Sequence, residues 1–190
     1  FDRVMRTRIG SPYVIAGMQA LSEQGLRPVG GYEANGGFLT QDDLQWDGRR
    51  LPALPTRDAA IVILALLFLA RSSKRSISEL VQDLPARFTD SNRLRDFPSE
   101  ISAQRLAAFD TGEEEADRAA IEAVFGKALG PLETIDRTDG LRLGFRSGEI
   151  AHLRPSGNAP ELRAYTEADS PERAQAINRI CLEILETWRE

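Results

Sequence analysis

Cysteine and histidine each occur once, as Cys181 and His152, in a chain of 190 residues. That excludes an internal disulfide and a Cys/His zinc site, and leaves a Cys–His pair only if those two residues meet in space. Long apolar runs are scarce too. The longest, Ala59 to Ala70 (AAIVILALLFLA), has 12 residues, well short of the roughly 20 that a bilayer-spanning helix needs. Basic residues are outnumbered, 24 Lys and Arg against 29 Asp and Glu, giving a net charge of −5, and no stretch concentrates them as a nucleic-acid footprint would. Neither nucleic acid nor membrane is an expected partner. The N-terminus, FDRVMRTRIG, lacks an initiator Met and a basic-then-apolar signal region; it reads as an interior cut of a longer chain, with the cytoplasm as default compartment.

What is present is ordinary globular material. At 42% hydrophobic content the chain can bury a core sufficient for one large or two small domains. Val14, Ile15, Met18 and Leu21 recur at helical spacing within Ser11 to Gln24, with Gly25 at the stop. Arg27 to Tyr32 reads as a strand entering the loop Glu33 to Gly37, and the stretch carrying Asp42, Asp43 and Asp47 as a polar hairpin. Pro55 and Thr56 read as a helix start, Thr56 as N-cap, for a helix running to about Arg71. Because that helix is apolar nearly all round, it is expected to be buried. The polar segment Arg71 to Ser78 (RSSKRSIS) marks a domain boundary, giving parts 1–75 and 76–190.

The second part has an α+β pattern. Ile77 to Leu84, Ser99 to Phe109 and Asp117 to Leu129 read as helices, and Arg87 to Leu94 as a strand. Leu132 to Asp136, Leu141 to Arg146 and Ile150 to Arg154 alternate between apolar and polar residues and are separated by the turn pairs Asp139-Gly140 and Ser147-Gly148. Leu162 to Thr166 is a fourth strand of that series, and Ser170-Pro171 opens a final helix to Trp188. This predicts an antiparallel sheet of about four strands covered by helices on one face. There is no internal repeat or low-complexity tract.

The residues that point to chemistry lie in two loops. In Arg154 to Arg163 (RPSGNAPELR), Gly157 and Asn158 could turn successive N–H groups into one concavity, Ser156 and Asn158 add side-chain donors, Arg154 adds a planar fork, and Arg163 could return from the next strand. That is an anion trap, although a tight hairpin with two surface arginines fits the same residues. In EANGG, Glu33 offers a carboxylate that accepts and Asn35 an amide that both donates and accepts; alone, the string is a turn signal. His152 reads as a packing or surface residue, Cys181 as core, and Glu113 to Glu115 with Asp117 as acids favoured at a helix front rather than a metal cluster. Trp46 and Trp188 have no aromatic partners at a spacing that suggests a ligand stack.

The run HLRPSGNAPELRAYTEA resembles the phosphate-binding loop of the α-D-phosphohexomutases, usually RPSGTEP followed by an apolar residue and Arg. Here Asn158 and Ala159 stand where Thr and Glu are typical. GGYEANGGF is similar to that family's sugar-binding loop, with Glu33 at its Glu, Asn35 at its Ser, Gly36 between, and Gly37 in place of the usual His. RTRIGSPYV resembles the step opening a helix in the third domain. The resemblance implies the end of an α/β third domain followed by the whole of domain four. It implies a substrate site of Glu33, Asn35, Gly36, Gly37, Arg154, Ser156, Gly157, Asn158 and Arg163, positioning substrate without breaking bonds. The phosphoserine loop and the Mg²⁺ loop (DGDxDR-like) of the family do not occur in this string, so Mg²⁺ and the nucleophile would belong to N-terminal domains of the same polypeptide. The implied reaction interconverts hexose 6-phosphate and hexose 1-phosphate through hexose 1,6-bisphosphate, as in phosphomannomutase or a dual phosphomannomutase/phosphoglucomutase. The other reading is a stand-alone sugar-phosphate-binding or regulatory module.

Overall fold

The computed structural model describes residues 2–189 and divides into two units, the first ending at Pro85 and the second beginning at Ala86. In the first unit, helix α1 (Ser11–Glu23) carries Pro12 in its first turn, where a missing N–H costs nothing. It packs Val14 and Met18 against Val29 and Leu39 to make a small core. Strands β1 (Gly30–Tyr32) and β2 (Phe38–Thr40) form an antiparallel hairpin, and β5 (Leu54–Asp58) pairs with the other edge of β2. Between them β3 (Leu44–Trp46) and β4 (Arg49–Leu51) form a separate two-stranded hairpin.

Two expectations for this unit are corrected. Pro55 and Thr56 belong to strand β5 and not to a helix start, because this segment pairs with β2, a contact distant in sequence that local turn chemistry does not reveal. The next helix, α2 (Ala60–Ser73), begins later, and Asp58 serves its front end by accepting from Ala60 N (2.8 Å) and Ile61 N (3.3 Å). Helix α2 is also not buried: among the described residues none of its side chains is, and Phe68 is 62% exposed. Its all-round apolar surface requires neighbours on several sides, and within this unit the short helix α3 (Ile77–Val81), held by a Ser76/Glu79 capping box, is the element that packs on it.

The second unit is a five-stranded antiparallel sheet in the order β6 (Phe88–Leu94), β10 (Leu162–Ala168), β9 (Ile150–Pro155), β8 (Leu141–Phe145), β7 (Leu132–Asp136). The strand at Phe88–Leu94 supplies the fifth member by pairing with β10 along its whole length. Strict alternation sorts the faces: Leu141, Leu143, Phe145, Ala151, Leu153, Leu162, Ala164 and Ala168 are buried, while Arg142, His152, Arg154, Arg163 and Tyr165 lie on the opposite face.

Helices cover the apolar face. Helix α4 spans Ser99–Ala107; α5 (Glu114–Ile121), a π-helical turn (Glu122–Gly126) and α6 (Lys127–Leu129) follow one another; and α7 spans Pro171–Glu186, with a 3₁₀ turn at Thr187–Arg189. Ser170 caps α7 by accepting from Arg173 N at 3.2 Å, and Pro171 sits in the first turn, as the sequence predicts. Ala174, Ile177, Cys181 and Leu185 form the buried stripe of α7. Asn178, in the same stripe, donates to Ala164 O (3.0 Å) and Asp90 O (3.3 Å), which satisfies its amide and fixes α7 across β10 and β6. Trp188 does have an aromatic neighbour: its ring centroid lies 5.9 Å from that of Phe109, which in turn is 6.4 Å from Phe125. Sequence spacing misses this cluster because it is assembled by the packing of separate helices.

Candidate functional site

The first candidate loop is the tip of the β1–β2 hairpin. Glu33 N donates to Gly37 O (2.9 Å) and Gly36 N to Glu33 O (3.0 Å), closing the turn. Gly36 takes φ +88°, a left-handed conformation that a side chain would strain. Asn35 Oδ1 accepts from Gly37 N at 3.0 Å, so this amide oxygen is already used by the turn and the exposed Nδ2 is the group left to donate. The Glu33 side chain is only 9% exposed, and its Oε2 is buried without a hydrogen-bond donor. A buried acceptor in that state is costly unless a ligand supplies the donor. Its nearest cation is Arg57, on β5, whose Nε lies 3.6 Å from Oε2.

Gly37 is buried beneath the same arginine. A Cβ at this position would lie 2.9 Å from Arg57 Cδ and 3.1 Å from Asn35 Oδ1, so the glycine makes room for the arginine stem. Arg57 is the residue that sequence reasoning missed. It sits in TRDAA, which reads as a helix start, and the one signal was the absence of a side chain at Gly37 beside it.

The second candidate loop joins β9 to β10. Arg154 and Arg163 are directly opposed across the two strands, so their side chains share the polar face. Arg154 is 15% exposed and its Nε lies 2.5 Å from Asp139 Oδ2 in the β7–β8 turn. The N–H is not aligned on that oxygen, so Nε is unsatisfied as a donor and the contact is one of charge. Arg163 pairs with Glu161 (3.0 Å), whose other oxygen lies 3.2 Å from Arg93 Nε. Within the loop, Ser156 N donates to Glu161 O (2.8 Å), Glu161 N to Ala159 O (2.7 Å), and Phe97 N to Pro160 O (2.8 Å), which ties the loop to the segment after β6. Ser156 is buried, while Gly157 and Asn158 are exposed.

The backbone does not turn as the sequence suggests. Neither Gly157 nor Asn158 has a positive φ. A Cβ at Gly157 would meet nothing within 4 Å, so the chain's own packing does not require glycine there. Arg154, Arg163 and Ser156 therefore come together around this loop, each arginine already facing a carboxylate.

His152 lies next to this site on the same face. Its Nε2 is 2.6 Å from Asp139 O and its ring is 5.7 Å from that of Tyr165; burial pushes its pKa below the ordinary histidine value, partly opposed by the Asp139 carbonyl. Cys181 is in the core, where burial pushes its thiol up to about 12, which makes it a packing residue. Asp117 accepts from Thr111 Oγ1 (2.7 Å), Thr111 N (3.0 Å) and Arg137 Nη2 (2.6 Å), and these contacts, Thr111 first, hold its carboxyl below the usual range. Glu114 and Glu115 share the first turn of α5 with it. Among the described residues no three of His, Cys, Asp or Glu are placed to hold a metal ion. No helix among them is long and apolar enough to cross a membrane.

Residues 2–88 match the family model described as phosphoglucomutase/phosphomannomutase, alpha/beta/alpha domain III, and residues 106–183 the one described as phosphoglucomutase/phosphomannomutase, C-terminal domain. Similar curated proteins include a phosphomannomutase of Salmonella muenchen, 47% identical, and one of Sinorhizobium fredii, 41% identical, each over 92% of this chain and 35% of its own length. The chain thus spans about a third of these relatives. A solved structure of a phosphoglucomutase/phosphomannomutase family protein from Burkholderia thailandensis matches with a TM-score of 0.59, over 96% of this chain and 32% of that one, at 19% identity, a likeness of fold.

Proposed function

Because the chain belongs to the phosphoglucomutase/phosphomannomutase family, as a portion matching its domain III and its C-terminal domain, we propose that it is the substrate-binding part of a phosphohexomutase. The parent enzyme interconverts hexose 6-phosphate and hexose 1-phosphate, as a phosphomannomutase or a dual phosphomannomutase/phosphoglucomutase. The observation that carries this reading is the Glu33 carboxylate, nine-tenths buried with an oxygen lacking a donor. A sugar hydroxyl would satisfy such an acceptor.

In this reading Glu33 accepts from the hydroxyls and Asn35 Nδ2 donates to them, with Gly36 and Gly37 shaping the turn. Arg154, Ser156, Gly157, Asn158 and Arg163 hold the phosphate that is not being transferred. Arg154 would exchange its charge contact with Asp139 for a planar pair of hydrogen bonds to phosphate oxygens. These residues bind and orient. The nucleophile, the Mg²⁺ ligands and the cleavage of P–O bonds are assigned to N-terminal domains of the same polypeptide. The uncovered apolar helix α2 supports a chain that continues in further domains. In this reading the boundary between the two parts falls in the polar segment Arg71 to Ser78, giving 1–75 and 76–190. A stand-alone binding module is not favoured, since relatives 41% and 47% identical are named phosphomannomutases.

The test is a coupled assay of the full-length polypeptide with mannose 1-phosphate or glucose 1-phosphate and a trace of hexose 1,6-bisphosphate. Turnover of either sugar phosphate is expected. A purified, folded polypeptide that turns over neither would overturn the reading.

A further inference from the structure

Arg57 lies across the glycine floor of the Glu33 loop. Its stem passes so close to Gly37 that a single added carbon would strike it at 2.9 Å, and its guanidinium ends 3.6 Å from the unsatisfied Glu33 Oε2. That separation is too long for a hydrogen bond, so neither group satisfies the other. The arginine is 55% exposed against 9% for the glutamate: the carboxylate is sunk in the loop and the donors stand at its mouth. Asn35 cannot replace Glu33 as the acceptor, because its oxygen is committed to Gly37 N, and it offers a single amide donor group where Arg57 offers a planar fork.

We propose that Arg57 is a further substrate-contacting residue of this loop, and that Glu33 and Arg57 act as one acceptor–donor pair on a vicinal diol of the hexose ring. A hydroxyl placed between them donates its proton to Glu33 Oε2 and accepts from an Arg57 N–H. The neighbouring hydroxyl takes a second donor of the same planar fork. Both hydrogen bonds are charge-assisted, and the hydroxyl that makes both is polarised from each side. Gly37 belongs to the device, since it is the space through which the arginine reaches the diol. This assignment rests on the phosphohexomutase reading above.

The experiment uses the full-length polypeptide and compares hexose 1-phosphate with its 3-deoxy and 4-deoxy analogues. Arg57→Ala is expected to lower kcat/KM for the parent substrate by about 10- to 100-fold, with Arg57→Lys recovering part of the loss. On the deoxy analogue lacking the paired hydroxyl, the ratio of wild type to Arg57→Ala falls to within about threefold. Gly37→Ala, which displaces the arginine without removing it, reproduces the direction of the loss. A structural role would lower all substrates alike, so an equal loss on parent and both analogues overturns the proposal, as does unchanged kcat/KM in Arg57→Ala. Wild-type protein inactive on every hexose phosphate overturns the functional reading together with this assignment, an outcome distinct from an active enzyme indifferent to Arg57.

Discussion

Replacing Arg154 by alanine removes two interactions whose magnitudes can be separated. On the proposed reading the side chain contributes charge-assisted hydrogen bonding to the bound phosphate worth about 1.5–3 kcal/mol, so the dissociation constant for hexose 1-phosphate should rise about 10- to 150-fold at 1.4 kcal/mol per decade. In the free protein the loss removes the charge contact with Asp139, which is 18% exposed and lies 2.5 Å from Arg154. Exposed pairs are worth under about 1 kcal/mol and loss of one partner from a fully buried pair costs about 3–5 kcal/mol. At these exposures a cost of about 1–3 kcal/mol follows, or a fall in Tm of roughly 4–20 °C for a unit of this size. Titration calorimetry and differential scanning calorimetry on the full-length polypeptide measure the two effects. Asp139→Asn separates them: it weakens the fold while leaving phosphate affinity the same or tighter, because the guanidinium is released. An Arg154→Ala protein that melts lower yet binds hexose 1-phosphate unchanged would refute the reasoning and leave Arg154 as a structural partner of Asp139.

On the reading that this loop holds the 3- and 4-hydroxyls, which mannose and glucose share because they differ only at C2, Glu33→Gln should depress kcat/KM by roughly 10- to 100-fold for mannose 1-phosphate and glucose 1-phosphate alike; steady-state kinetics showing a loss confined to one sugar would contradict that reading. Stability should fall on acidification in two stages. Below about 6.5, the unfolded value, His152 takes up a proton in the unfolded chain before the folded one, and below about 4.5 and 3.8 the same holds for Glu149, lowered first by Arg173, and for Asp117, so each contribution present at neutral pH is lost as pH drops. Thermal melts from pH 8 to 3 check the sign, and His152→Gln should flatten the upper stage alone. Cys181, buried with its thiol raised to about 12, should resist a thiol reagent in the native protein and react on unfolding in guanidinium.

Much of the second unit was legible because one periodicity decides it. Alternation at Leu141 to Phe145, Ile150 to Arg154 and Leu162 to Ala168 fixes which face is buried, and Ser170-Pro171 fixes where α7 starts. The first unit was less legible because its elements are set by partners distant in sequence. Pro55-Thr56-Arg57 has the local chemistry of a helix front, yet pairing with β2 makes it a strand. Composition shows that α2 needs cover but not which residues provide it. At the site, residue types announce Glu33, Asn35, Arg154 and Arg163. Gly37 N and Glu161 are local partners, two residues from Asn35 and Arg163, whereas Arg57 and Asp139, which face Glu33 and Arg154, come from tertiary placement that the string does not show.

The central claim is that this stretch of chain binds and orients a phosphosugar while the bond-making groups lie elsewhere in the polypeptide. Phosphorus NMR of mannose 1-phosphate, with a trace of hexose 1,6-bisphosphate and Mg²⁺, tests it on two samples side by side: the full-length polypeptide and the 190-residue chain, the latter first shown to melt cooperatively. Conversion to mannose 6-phosphate by the full-length polypeptide alone is the predicted result. Conversion by the 190-residue chain, proportional to its concentration and abolished by EDTA, would contradict it.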